Sequence, residues 1–346
     1  MPDEDSRTDD AVPMPEGLRW CSDEAPGIRR RRAGRGFCYL GPDGKRITSE
    51  RMLSRIRSLV IPPAWQDVWI CPHANGHIQA TGRDARNRKQ YRYHPDWTVA
   101  QSSNKFDRLP LFAARLPRLE KAIEQALARR RYDEEKVVAT AVRLLQLSLI
   151  RVGNAQYSRQ NRSYGLTTLR KRHIEISGQE LRFHFRGKSG VEHEVSVQDR
   201  RLATIIRRLN ELPGQTLFQY RCDDGTLGTV RSEDINAFIR AHMGEAFSAK
   251  DFRTWAATLH AAQILCAMDS PTSPAEARRK LNACMKKVAG RLGNTPTVCR
   301  SSYVHPRIID LFTAQTLATS LPQPQSRLFP KAVAALIDSG KVMALS

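Results

Sequence analysis

The sequence predicts an α+β protein, with a small β-rich N-terminal domain followed by a larger, mainly α domain. Residues 18–97 are rich in glycine, proline and aromatic residues, whereas apolar residues at helical spacing dominate after Pro95. The length of 346 residues suits two domains of ordinary size. We therefore expect an acidic, disordered tail over residues 1–16, a β-rich domain over residues 17–97 and a helical domain over residues 98–346.

Short strands account for most of the N-terminal region. Residues 36–47 are typical of two strands around a Pro-Asp-Gly turn, and a helix is expected after Ser49. The arginine run Arg29–Arg32 is interpreted as a solvent-facing stretch, with contact to phosphate as the alternative. Three further strands are predicted, over residues 68–70, 77–80 and 90–93.

Helices predominate after Pro95. Apolar residues repeat with a helical period over residues 109–127, and the acidic group at Asp133 suits the start of a second helix. One β island interrupts the helices, with Gly187–Gly190 as a connecting loop. The strands of the island are predicted at residues 173–176, 181–185 and 191–195, and two later helices at residues 199–211 and 232–243.

Two helix starts carry a capping residue followed by proline. Ser273–Glu276 predicts a helix that runs to about Ala289. Thr295-Pro296 repeats the signal, and we expect Tyr303 to lie on a short helix that ends near Pro306.

The charge balance indicates a polyanionic partner. Lysine and arginine total 56 against 35 acids, giving a net charge of +21 and a pI near 10.2. Residues 1–16 contain six acids and one base, so the remaining chain is more basic still. Nucleic acid is the expected partner, with a basic ribosomal or membrane-surface protein as the alternative. The sequence has no run long enough for a membrane span, and we expect a cytoplasmic protein at the nucleoid.

No metal or cofactor is predicted. The seven cysteines include no Cys-x-x-Cys pair, so neither a zinc site nor a redox motif is indicated. Gly187-Lys188-Ser189 matches half of a P-loop, but Arg182 stands where that motif requires glycine, and no nucleotide site follows.

Four separated side chains together suit phosphodiester chemistry. Tyr303 offers a phenol that could form a covalent phosphotyrosine. Arg151 and Arg253 offer guanidinium groups, which hold phosphate oxygens and remain charged. Lys188 could give a proton to a departing sugar oxygen. This set could break and rejoin a phosphodiester without a metal or a nucleotide.

The motifs around these residues resemble those of the type IB DNA topoisomerases, in the compact poxvirus-like and bacterial branch. The matching sequence extends from Ile61–Ile70 to beyond Tyr303 and covers most of the chain. The resemblance implies the catalytic fold shared with the tyrosine recombinases. It also implies a monomer that relaxes supercoiled double-stranded DNA through a transient single-strand break and a 3′-phosphotyrosyl intermediate, without ATP or an obligatory metal.

The resemblance assigns roles to the site residues. Tyr303 matches the nucleophile, Arg151 and Arg253 match the phosphate-binding arginines, and Lys188 matches the general acid carried by a β-hairpin. Many members have a histidine nine residues before the nucleophile, where this chain has Asn294, whose amide can still donate a hydrogen bond.

Six further residues match DNA-contacting positions of the family. Tyr91 and Tyr93 alternate on a predicted strand and should share one face, in an N-terminal domain that the family uses to grip DNA. The complete set is Arg88, Gln90, Tyr91, Tyr93, Tyr157 and Lys250.

Two alternatives share parts of this pattern. A tyrosine recombinase would use the same four chemical groups, but it typically has a histidine three residues before the second arginine, where this chain has Lys250. A non-catalytic DNA-binding protein on the same scaffold would not need all four groups.

Overall fold

The computed structural model describes residues 14–338, except for residues 86, 156, 157 and 159–161 and the side chains of residues 102 and 189. The chain divides into two compact units, Met1–Lys105 and Phe106–Ser346. Most of the predicted acidic tail lies outside the described residues. A β-sheet unit followed by a mainly helical unit confirms the predicted α+β class.

A five-stranded antiparallel sheet with one helix forms the N-terminal unit. Its elements are β1 (Ile28–Ala33), β2 (Gly36–Leu40), α1 (Glu50–Ser58), β3 (Gln66–Ile70), β4 (Ile78–Arg83) and β5 (Lys89–Tyr93). The strand order is β2-β1-β3-β4-β5. Ile56 of α1 is buried with Ile28, Val68 and Ile70 of the sheet, and this apolar contact holds the helix on the sheet.

Two predictions for this unit were confirmed only in part. The strand expected after the Pro-Asp-Gly turn is reduced to one antiparallel bridge between Arg46 and Leu40, and β2 pairs along its length with β1. The arginine run faces solvent at Arg29, Arg31 and Arg32, as expected, but it also forms strand β1, which was not predicted. Arg30 donates to the carbonyl oxygens of Pro62 at 3.2 Å and Trp65 at 2.6 Å, so contacts distant in sequence support the strand.

Helices make up most of the C-terminal unit. They are α2 (Pro95–Asp107), which spans the division between the units, α3 (Leu109–Ala128), α4 (Glu134–Ser148), α5 (Arg200–Asn210), α6 (Ser232–Met243), α7 (Ala249–Cys266), α8 (Pro274–Leu292), α9 (Pro296–Ser302), α10 (Pro306–Thr313), α11 (Leu317–Ser320) and α12 (Phe329–Asp338). The predicted domain boundary after residue 97 lies inside α2, and the units divide near the other end of that helix. Helix α7 packs against α3, α4, α6 and α8, which makes it a central support of the unit.

The predicted β island is a three-stranded antiparallel sheet. Its strands are β6 (Ile174–Ser177), β7 (Glu180–Arg186) and β8 (Glu192–Gln198), and β7 lies in the middle. Leu181, Phe183 and Phe185 are buried on alternate positions of β7, as a sheet with one covered face requires. A second pair of strands, β9 (Gln219–Arg221) and β10 (Leu227–Thr229), was not predicted.

The structure confirms the two helix starts that the cap-plus-proline signals predict. The Ser273 hydroxyl accepts from the Glu276 N–H at 3.2 Å, and the Thr295 hydroxyl accepts from the Val298 N–H at 3.3 Å. The predicted end of the second helix was wrong, because α9 stops at Ser302, Tyr303 is its C-cap, and Pro306 begins α10.

No helix in the described ranges combines the length and the apolar character that crossing a membrane requires.

Candidate active site

Arg151 lies in a tightly fixed turn after α4. Leu149 ends the helix with a left-handed φ of 56°. The Arg151 carbonyl accepts from Leu166 N–H at 2.8 Å. Gly165 lies against the same carbonyl, and a Cβ at Gly165 would be 2.6 Å from its oxygen. The backbone therefore has little freedom at Arg151, whose side chain is half-buried.

Arg253 connects α7 to two neighbouring turns. Its side chain is buried, with 5% of the residue exposed. Nη1 donates to the Leu149 carbonyl, and Nη2 donates to the Leu292 carbonyl at 2.7 Å. Burial lowers the pKa of Arg253, and the charge of Arg151 lowers it further. One guanidinium thus ties together the segments that carry Arg151 and Asn294.

Asn294 follows α8, and among the described residues its amide oxygen has a hydrogen-bond partner whereas its amide nitrogen has none. Arg151 Nη2 donates to Asn294 Oδ1, which fixes the orientation of the amide because arginine has only donors. Asn294 Nδ2 is buried and has no hydrogen-bond partner within the described part of the chain. The nearby Cys299 thiol is a weak acceptor at most. A buried donor without a partner costs about 1–3 kcal/mol, so this group is suited to meet an acceptor from outside.

Tyr303 is fixed by backbone contacts on both sides. Its N–H donates to the Cys299 carbonyl at 3.0 Å. The Thr258 hydroxyl of α7 donates to the Tyr303 carbonyl at 3.2 Å and accepts from His305 N–H at 3.1 Å. The ring centroid lies 5.5 Å from Cζ of Arg253. The phenol is therefore held beside a buried guanidinium.

Lys188 begins a single 3₁₀ turn between β7 and β8 and is exposed. The connection is closed by a hydrogen bond from Gly187 N–H to the Val191 carbonyl at 2.7 Å. Lys188 lines one small cavity together with Arg151 and Arg253. The structure thus brings together all five predicted site residues, around this cavity and in the adjoining contacts of Asn294 and Tyr303.

The partners of the three cations in this cluster are neutral groups wherever the structure describes them. Within the residues that the structure describes, Arg151, Lys188 and Arg253 form no ion pair with a carboxylate, and both arginines donate to neutral oxygens. Among the described residues, no carboxylate is paired with these cations, and their positive field favours an anion such as phosphate. In the same described residues, no group of three or more histidine, cysteine, aspartate or glutamate side chains could hold a metal ion.

The predicted DNA-contacting residues of the N-terminal unit lie on β5 and just before it. Tyr91 and Tyr93 share a face, as expected, and their rings stack with centroids 5.8 Å apart at an angle of 9°. Arg88 is ion-paired with Asp84 at 2.6 Å. Gln90 Nε2 donates to the same carboxylate at 3.1 Å. The carboxylate of Asp84 thus holds the side chains of both Arg88 and Gln90.

The remaining two predicted contacts lie elsewhere. Lys250 is exposed in the first turn of α7, the helix that carries Arg253. Tyr157 lies outside the described residues.

Sequence reasoning missed His193, which lines the same cavity as Arg151 and Lys188. A signal for it was present, because His193 alternates with Val195 and Val197 on β8. A histidine in register with two valines is expected on the covered face of a strand.

Two family models match the chain. The one described as "Eukaryotic DNA topoisomerase I, catalytic core" matches residues 89–320. The one described as "Bacterial DNA topoisomerase IB, N-terminal domain" matches residues 36–84. Both units of the fold therefore match one class of enzyme, the DNA topoisomerases.

Viral relatives specify the class further. The DNA topoisomerase 1B of Acanthamoeba polyphaga mimivirus is 33% identical over 293 residues, which cover 83% of this chain and 87% of that protein. The DNA topoisomerase I of Monkeypox virus is 24% identical over 235 residues, covering 66% of this chain and 71% of that protein. The DNA topoisomerase 1B of Vaccinia virus (strain Copenhagen) is 25% identical with the same coverage. The chain belongs to the type IB DNA topoisomerase family, as its resemblance predicted, and is an enzyme of that class rather than a tyrosine recombinase.

Proposed function

We propose that this enzyme relaxes supercoiled duplex DNA as a monomer, by cutting and rejoining one strand through a covalent bond between Tyr303 and a 3′-phosphate. The reaction needs neither ATP nor a metal ion in this proposal. The observation that carries it is the position of the phenol beside Arg253, whose guanidinium also joins the segments that bear Arg151 and Asn294.

In the cleavage step, the Tyr303 oxygen forms a bond to phosphorus, and the bond from phosphorus to the 5′-oxygen breaks. The phenolic proton passes to water, and Lys188 gives a proton to the departing 5′-oxygen. Arg151 and Arg253 hold the non-bridging oxygens, and the Asn294 Nδ2 group donates a further hydrogen bond to one of them. Rejoining reverses these transfers, so the bond energy is conserved without a nucleotide.

Contacts outside the cluster bind the duplex. We assign this role to Arg88, Gln90, Tyr91 and Tyr93 of the N-terminal unit and to Lys250 and Tyr157 of the C-terminal unit. The net charge of +21 supports a large contribution from phosphate contacts. Binding should therefore weaken steeply as salt rises, and the expected location is the nucleoid.

Relaxation of a supercoiled plasmid in EDTA without ATP tests the proposal. The enzyme is expected to relax the plasmid, and a trapped adduct is expected to hold the 3′ end of the cut strand. Failure to relax the plasmid, or an adduct on the 5′ end, contradicts it.

Lys188→Ala tests the proton donor. We expect strand cleavage to slow by about 10²–10⁴-fold, the usual contribution of general acid catalysis, while DNA affinity changes little. Equal losses of cleavage rate and affinity would show that Lys188 only binds DNA.

A further inference from the structure

The imidazole ring of His193 fills the space between two glycines that come from different elements. A Cβ on Gly187 would lie 2.5 Å from Cδ2 of the ring, and a Cβ on Gly293 would lie 2.2 Å from Cε1. Both distances are far below van der Waals contact. The backbone of each glycine therefore packs directly on a different edge of the same ring.

These glycines precede two residues of the candidate active site. Gly187 is followed by Lys188 in the connection between β7 and β8, and Gly293 is followed by Asn294 after α8. The ring is thus a spacer between the segment that carries the proposed proton donor and the segment that carries an amide for the phosphate.

The ring itself is held in place. His193 is paired across the strands with Phe185, and the two rings stack with centroids 5.2 Å apart at an angle of 10°. Phe185 is buried in the core of the C-terminal unit. The spacer therefore rests on packed structure rather than on a mobile surface.

The charges around His193 favour its neutral form. Burial lowers the pKa of His193 from its ordinary value of 6.5, and the charges of Arg151 and Arg253 lower it further, while Glu192 acts weakly in the opposite direction. At neutral pH the ring thus adds shape to the site without adding a charge that would compete with the arginines.

We propose that His193 is a positioning residue that sets the separation of Lys188 from Asn294, and so aligns the proton donor with the leaving oxygen. This inference rests on the proposed function. It concerns a residue that acts through Lys188 and does not itself exchange a proton with DNA.

The test compares His193→Ala on two DNA substrates that differ in one atom. One has a normal phosphodiester at the cleaved position, and the other has sulfur in place of the bridging 5′-oxygen. A thiolate leaves without a proton donor, because the pKa of a thiol is far below that of an alcohol. A defect in proton delivery therefore disappears on the sulfur substrate, whereas a defect in phosphate binding or in folding persists.

On the normal substrate we expect His193→Ala to slow single-turnover cleavage by about 10- to 100-fold, the scale of a small misplacement of a catalytic group. On the sulfur substrate we expect its rate to lie within about threefold of the wild-type rate. A similar loss on both substrates overturns the proposal, as does unchanged cleavage of the normal one. His184→Ala is the matched control, because His184 is an exposed histidine of β7 in the same sheet, and it should cleave both substrates at the wild-type rate.

A double-mutant cycle tests the contact, and its Gly187→Ala variant keeps the imidazole, so this variant still tests the contact if His193→Ala folds poorly. Gly187 has a φ of −97°, which alanine adopts without strain. Gly187→Ala should slow cleavage by about tenfold because its methyl group displaces the ring, and adding His193→Ala should cost less than the product of the two single effects. Strictly multiplicative effects would show that Gly187 and His193 do not act through one contact.

The wild-type enzyme and Tyr303→Phe are run beside these variants. No cleavage by the wild type contradicts the proposed function itself. Cleavage by the wild type with no selective defect in His193→Ala contradicts the inference alone.

Discussion

The cations of the candidate active site and those around β5 differ in what neutralises them. Arg253 donates to two backbone carbonyls, and in the described part of the chain it has no carboxylate partner. Around β5, Arg88 is paired with Asp84 at 2.6 Å and Lys89 with Asp23 at 2.8 Å. The first arrangement keeps its net positive charge, whereas the second cancels much of it.

The two arrangements are expected to respond differently to a DNA phosphate. A guanidinium oriented by neutral oxygens is ready for a phosphate, and no existing ion pair has to be broken. A guanidinium already paired with an acid gains less from a phosphate, because it exchanges one anion for another. We therefore expect the active-site cluster to control the reaction, and the paired residues around β5 to tune affinity with smaller effects.

The largest expected effect is that of Tyr303→Phe. Removing the hydroxyl removes the proposed nucleophile, and relaxation should fall by about 10⁴-fold or more, as for other covalent nucleophiles. Gel analysis of supercoiled plasmid measures this loss, and DNA affinity measured in parallel should stay near the wild-type value. Relaxation that persists in the variant would place the covalent bond on another residue.

Substitution of Arg253 should cause the next largest loss of activity. Arg253→Ala is expected to slow cleavage by about 10²–10³-fold, the typical loss on removing a group that stabilises the transition state. Arg253→Lys keeps the charge but cannot donate to both the Leu149 and Leu292 carbonyls in the same geometry.

Single-turnover cleavage rates and thermal unfolding distinguish charge from geometry at this position. We expect Arg253→Lys to lie closer to Arg253→Ala than to the wild type in rate, and both variants to unfold at lower temperature. A lysine variant with the wild-type rate would mean that charge alone matters at this site.

Changes at Asn294 should have intermediate effects. Asn294→Ala removes the amide donor and should slow cleavage by about 10- to 100-fold. Asn294→Asp should be worse, because a carboxylate would pair with Arg151 and repel phosphate. Comparison of the two cleavage rates measures how strongly a carboxylate in the site slows cleavage. An aspartate variant that cleaves faster than the alanine variant would show that a carboxylate at this position does not repel the phosphate.

The smallest expected effect is a gain in DNA affinity, caused by Asp84→Asn in the N-terminal unit. Releasing Arg88 from its ion pair should raise DNA affinity by about two- to fivefold at low salt. The dependence of affinity on salt should also become steeper, by an amount that corresponds to about one additional phosphate contact at most. Glu24→Gln is the control, because it removes one exposed negative charge in the same unit. Equal gains in both variants would assign the effect to net charge rather than to Arg88.

Local sequence signals predicted most helices and strands, but they failed where one residue serves two roles. The proline at 306 indicated the end of a helix, and in the structure it begins α10, since proline suits the first turn of a helix as well as the position after one. Tyr303 consequently lies between two helices rather than on one.

The motifs pointed to residues that lie near one another in the structure, whereas the contacts of those residues could not be predicted. Arg253 is separated from Leu149 by 104 residues and from Leu292 by 39, and no periodicity links positions so far apart. Strand β1 was not predicted for a similar reason, because the carbonyls that accept hydrogen bonds from Arg30 lie 32 and 35 residues further along the chain. Only packing of the folded chain brings such groups together.

The single hydroxyl of Thr258, which contacts the backbone on both sides of residue 304, has a mechanical consequence. In the proposed reaction Tyr303 holds a DNA end, and rotation of the duplex would then pull on the chain at that residue. The tension would pass through Thr258 into α7, an 18-residue helix that also carries Arg253. Attachment point and phosphate ligand would then move as one body under torque, so the broken ends could be rejoined without first restoring the alignment of the site.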